Sequence, residues 1–302
     1  RAALASYMGV SPNGCWSANK MESTATRSPN WGQKFVQFPV TRIFLGLGIL
    51  FAATLLTQSA LDLIPGIHQG VPDVLGASAV ALTALLAYIG FVRLVERRAV
   101  TELSTAGGAL ELGKGVLLGG VLFTATIGLI SLFGFYHVSG FNPWAVLLPA
   151  LSLSIVSGVV EEVLVRGILF RIMEEALGTW LALAISALLF GWMHISNPNA
   201  TLWSALAIAI EAGIMLAAAF VFTRRLWLAI GIHFAWNFVQ GGIFGVAVSG
   251  NEVQGLLQST LSGPPLLSGG AFGAEASIFA VIVCLAAGVY LTRAAWKKRN
   301  FI

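Results

Sequence analysis

Charge is scarce in this chain. Lys, Arg, Asp and Glu make up 10% of its 302 residues, against about 25% in a soluble domain. With 57% hydrophobic residues and a mean hydropathy of +0.85, an ordinary water-soluble globule is excluded. Cysteine is nearly absent. Cys15 and Cys284 lie far apart and supply neither a disulfide framework nor a thiolate metal site. No Walker or Rossmann pattern occurs in a strand–helix setting, and no His-Glu-x-x-His pair is present. The lack of a Gly-x-Ser-x-Gly elbow or a suitably placed cysteine argues against a covalent nucleophile. No long-period repeat or inverted repeat of the transporter kind is visible. The net charge of +4 is modest; membrane orientation explains it, and no nucleic-acid partner is expected. Residues 1–37 are polar and lack the apolar core of a secretory signal. They read as a flexible cytoplasmic tail, with Met21 an alternative start.

What is present is long apolar runs. A spanning helix needs about 20 mostly apolar residues. The sequence offers eight candidates: 43–61, 74–92, 115–134, 144–170, 180–194, 202–222, 226–247 and 274–291. The fold class expected is an all-α polytopic membrane helix bundle over residues 38–302, with the lipid bilayer as its first partner. The stretch 93–114 is charged, and its first part reads as an amphipathic helix on the membrane surface. Stretches 135–143 and 248–273 read as loops, the latter rich in Gly, Ser and Pro. The positive-inside rule tests the map. With the N-terminus inside, sixteen of the 17 Lys and Arg residues fall in cytoplasmic segments or at cytoplasmic helix ends. The remaining one is Arg166. Eight spans with both termini cytoplasmic follow, in the cell (plasma or inner) membrane.

Against this apolar background a few polar residues stand out. Glu161, Glu162 and Arg166 interrupt the fourth run. Ionisable groups at membrane depth are costly and face the bundle interior, a partner or water. Glu162 and Arg166 are four apart, so on a helix they share a face and can pair. Glu161 is turned about 100° away and stays free for chemistry. Phe190-x-x-x-His194 closes the fifth run, and His233-x-x-x-Asn237 lies on one face of the seventh. Glu211, midway along the sixth, is either a second partner of the site or a structural carboxyl. His68 and His137 fall in outer loops without a role. Each feature alone has a bland reading: an interfacial histidine, or a helix–helix hydrogen bond. Together they hold what hydrolysis requires: a carboxylate and an imidazole to take a proton from water, and two donors for a developing oxyanion. A zinc reading also stands, with Glu161, His194 and His233 as ligands and water as a further one.

Glu161-Glu162-x-x-x-Arg166, Phe190-x-x-x-His194 and His233-x-x-x-Asn237, in that order on successive runs, resemble the CAAX prenyl endopeptidase (CPBP) family. The resemblance covers roughly residues 103–251, and the run 226–238 looks like its bacterial branch. It implies an eight-helix membrane protease with a peptide or prenylated protein as substrate. Glu161 and His194 would then activate water without a cofactor, and His233 and Asn237 would form the oxyanion hole. Glu162, Arg166 and Phe190 would order the site. A non-catalytic immunity or peptide-binding protein is the alternative within the same resemblance.

Overall fold

The computed structural model describes residues 31–64 and 74–302. Most of the expected tail, with Cys15, and the loop holding His68 lie outside these residues. The tail's last part, Trp31–Val36, is a short helix.

Eight long helical segments follow among the described residues. They are α1 (Pro39–Asp62), α2 (Val74–Val95), α3 (Gly108–Leu132), α4 (Trp144–Leu177), α5 (Thr179–Met193), α6 (Leu202–Thr223), α7 (Trp227–Asn237, continued by a π-helical stretch Phe238–Ile243) and α8 (Ile278–Lys297). Local chemistry sets several starts. Pro39 opens α1, where its fixed φ suits the first turn. Thr201 and Ser204 form a capping box at α6. The Ser277 side chain caps the Ala280 N–H of α8 at 3.1 Å.

Six of the eight segments are long and apolar enough to cross a membrane, so the expectation of eight full spans is corrected in length. At 1.5 Å per residue, the 15 residues of α5 reach about 22 Å, short of the ~30 Å hydrocarbon core. The α7 segment is also short, but nine of the residues in Trp227–Asn237 are buried. A helix walled by protein has no lipid thickness to match.

Helices α3 and α7 meet backbone to backbone. A Cβ on Gly119 would overlap the carbonyl of Ile232, and one on Gly231 would overlap that of Leu112. Small residues at such crossings let helices approach closely in lipid. Gly158 of α4 lies against Phe234 on the other side of α7. The helix that carries His233 and Asn237 is thus clamped between α3 and α4.

Two expectations change outside the helices. The expected surface helix is absent. After the π-helical turn Phe91–Val95, residues 96–107 form a non-helical loop whose carboxylates turn inward. Glu96 pairs with Arg42, with Arg171 at 2.8 Å and with Arg98 at 3.0 Å, and Glu102 pairs with Arg98 at 2.9 Å. Protein arginines, not headgroups, satisfy these charges. At the opposite end, two presumed loops pair as antiparallel strands β1 (Tyr136–Phe141) and β2 (Leu257–Leu261), with Tyr136 opposite Leu261. Residues 244–277 then form a roof of short turns before α8.

Candidate active site

The site is built where α4, α5, α6 and α7 meet under the roof. Glu162 is its pivot. Its side chain is fully buried, and Oε1 accepts from Arg166 Nη1 at 2.8 Å and from His233 Nδ1 at 2.8 Å. Arg166, also fully buried, donates on to the carbonyls of Ala212 (3.1 Å) and Gly213 (3.2 Å) on α6. Its guanidinium lies 4.5 Å from the centroid of the Phe190 ring. Phe190 in turn packs edge-on against His194 (4.9 Å) and His233 (6.1 Å). One aromatic ring thereby spaces both imidazoles and covers the arginine.

Hydrogen bonding fixes the tautomers. An ionised carboxylate only accepts, so His233 Nδ1 carries the proton toward Glu162. Its Nε2 then faces Glu161 Oε2 at 3.9 Å. A backbone carbonyl also only accepts, so His194 Nδ1 donates to Phe190 O at 2.8 Å, leaving Nε2 with a free lone pair when the ring is neutral. Asn237 Nδ2 donates to Ser157 Oγ at 2.8 Å, which leaves its second N–H free.

A cavity of about 20 Å³ opens among these groups, lined by Phe190, His194, His233, Asn237, Glu211 and Glu275 together with apolar neighbours. That is room for about one water molecule. Buried polar atoms without a hydrogen-bond partner gather nearby: Oε2 of Glu161, Glu162 and Glu211, Nε of Arg166 and Nε1 of Trp236. Such atoms are rare in folded proteins and call for a physical reason.

The structure therefore brings together Glu162, Arg166, Phe190, His194, Glu211, His233 and Asn237. Glu161 reaches the group through His233. Among the described residues no hydrogen bond or ion pair joins Glu161 to His194, and no three His, Cys, Asp or Glu side chains are arranged to hold a metal ion. His137 lies apart on β1. Sequence reasoning missed Ser157 and Glu275. Ser157 stands four residues before Glu161, so helical spacing could have found it. Glu275 sits in a Gly-, Ser- and Ala-rich turn with no periodic signal.

Residues 142–239 match the type II CAAX prenyl endopeptidase Rce1-like family. The domain around this site belongs to that family. The CAAX-protease domain spans α4, α5, α6 and most of α7, inside the broader stretch 103–251 of the resemblance, and contains every sequence-predicted site residue. Helices α1, α2, α3 and α8 frame it in a multi-pass membrane protein. Comparison with curated proteins and with solved structures finds no match.

Proposed function

We propose that the chain is an intramembrane endopeptidase of the cell membrane that hydrolyses a peptide bond near the C-terminus of a protein or peptide, prenylated or not. The observation that carries this reading is the shared Glu162 oxygen, which ties Arg166 to His233 and leaves the neighbouring carboxylate, Glu161, with an oxygen that makes no hydrogen bond, 3.9 Å from the same imidazole. Adjacent carboxylates thus take two roles, one structural and one free to accept a proton. Glu161 and His194 draw the proton from a water held between them, and the free Nε2 of His194 is the second acceptor. Asn237 and His233 donate to the oxyanion, His233 from Nε2 when both ring nitrogens are protonated. Arg166 and Phe190 hold these rings in place.

The reading takes the chemistry as metal-free. The test is cleavage of matched prenylated and unprenylated peptides by the purified full chain, with and without chelator, beside Glu161→Gln. Expected is chelator-resistant cleavage that the variant abolishes. Peptide binding without cleavage would point to the immunity or peptide-binding alternative and overturn the protease reading. Loss of activity to chelator, with zinc restoring it, would overturn the metal-free part alone.

A further inference from the structure

Drawing a proton from water is half of amide hydrolysis; the departing nitrogen must also gain one. The cavity holds two carboxyls that the reading above does not use. Glu211 comes from the π-helical stretch Ala209–Ile214 of α6, is 1% exposed, and leaves Oε2 without a partner. Glu275 comes from the roof turn Ala274–Ala276, is 2% exposed, and accepts the Ser249 backbone N–H. Both line the cavity beside His194, His233 and Asn237, and no lysine or arginine lines it. The Cys284 thiol of α8 sits against Glu211, and the nearest arginine, Arg166, is already committed to Glu162 and two carbonyls. Two buried carboxyls on one small cavity cannot both ionise without large cost. Burial holds the Glu275 carboxyl up at about 7.

We propose that Glu211 and Glu275 share a proton and deliver it to the leaving amine. The proposal rests on the endopeptidase reading. Water oxygen bonds to the carbonyl carbon while its proton passes to Glu161, and the carbonyl electron pair moves to the oxyanion. On collapse the C=O re-forms, the C–N bond breaks, and the nitrogen takes the proton of the carboxyl pair. The proton held by Glu161 then returns to the pair by way of His233, whose Nε2 lies 3.9 Å from Glu161 and which lines the cavity with both carboxyls. The sum is one water added across one amide bond. No external acid is consumed.

The test uses two substrates with the same acyl segment: a peptide amide and a nitrophenyl ester, whose phenolate leaves without protonation. In Glu211→Gln and Glu275→Gln, amide cleavage should fall by about 10²-fold or more, while ester cleavage stays at the parental rate. Glu275→Asp, which keeps an acid, should recover part of the amide rate. Equal loss on both substrates would reduce the pair to a structural role and overturn the proposal; so would an unchanged amide rate. Should Glu211→Gln not fold, Glu275→Gln on the roof decides alone. Failure of the endopeptidase reading looks different: the parent would then show no Glu161-dependent cleavage of either substrate.

Discussion

Arg166 binds Glu162 and two carbonyls of α6 through its terminal nitrogens, while its Nε makes no hydrogen bond. Its removal leaves Glu162 buried with only the His233 N–H, and breaking a buried ion pair costs roughly 3–5 kcal/mol in comparable cases. Arg166→Ala is therefore expected to lower the melting temperature in detergent along with activity. Arg166→Lys should fall between, because an ammonium cannot span the carboxylate and two carbonyls at once. An unchanged melting temperature in the alanine variant would make Arg166 a substrate-binding group instead. The polar residues around it should grade by role. Glu161→Gln keeps shape and removes the proton acceptor, so cleavage should drop to background, and His194→Ala should come close to it. Asn237→Ala removes one oxyanion donor and should cost about 10²–10³-fold in rate. His233→Ala should cost more than Asn237→Ala, since it also unties Glu162. Steady-state rates on one peptide rank all four. A His233 variant as active as the Asn237 variant would mean that the Glu162 contact does not position the ring. At this scale much was legible: a four-residue spacing announced the Glu162–Arg166 pair. The partnership of Glu275 with the site was not, because only tertiary folding brings a roof turn over α6.

At the scale of elements, three of the four π-helical stretches among the described residues lie on the motifs. One follows Glu162 (Val163–Phe170), one contains Glu211 (Ala209–Ile214), and one follows Asn237 (Phe238–Ile243). The wider turn re-aims side chains and frees backbone carbonyls, and such insertions recur at functional sites. In the second stretch the Ala212 and Gly213 carbonyls receive Arg166. Apolar runs announce helices but carry no mark of π geometry, so this part of the site could not be read in advance. The strands β1 and β2 were hidden for a related reason. Short Gly- and Ser-containing stretches such as Tyr136–Phe141 read as loops until a distant partner satisfies their backbone. Glycine tests the element scale directly. Gly231→Val places side-chain atoms into the Leu112 carbonyl, so it should force α7 off α3, displace His233, and lower both stability and activity. Gly113→Ala lies on the same α3 with nothing within 4 Å of the added methyl. It should be neutral or stabilising by up to about 1 kcal/mol. Thermal melts of the two variants check this; equal destabilisation would mean the α3–α7 contact is not the cause.

Over the whole molecule, charge divides the protein into two ends. One end carries the roof, and no lysine or arginine occurs between Arg225 and Arg293. The other gathers the basic residues, and many of them are matched. Arg42, Arg98 and Arg171 converge on Glu96; Arg224 pairs with Glu174 at 2.5 Å; Arg225 pairs with Glu111. Reporter fusions after residues 98, 225 and 299 should accordingly read cytoplasmic, and fusions near 140, 198 and 260 external, where one robust reversal would break the map. The Glu96 cluster joins α1, the loop after α2 and α4, so it is also the place where acid should loosen the bundle. Burial pushes the Glu96 carboxyl up, but Arg171 and Arg42 outweigh it and hold the group below its ordinary range. A carboxylate whose pKa is depressed by folding stabilises the fold above its unfolded pKa, and that contribution is lost as pH falls through the lowered value. Melting temperature in detergent should therefore be flat from neutral pH down to the ordinary carboxylate range and fall below it. In Glu96→Gln the neutral-pH melting temperature should already be lower, because three arginines lose their shared partner. Its further fall in acid should be shallower than the parent's. Parallel acid curves for parent and variant would place the acid-sensitive group elsewhere, with Glu174 beside Arg224 the next to test.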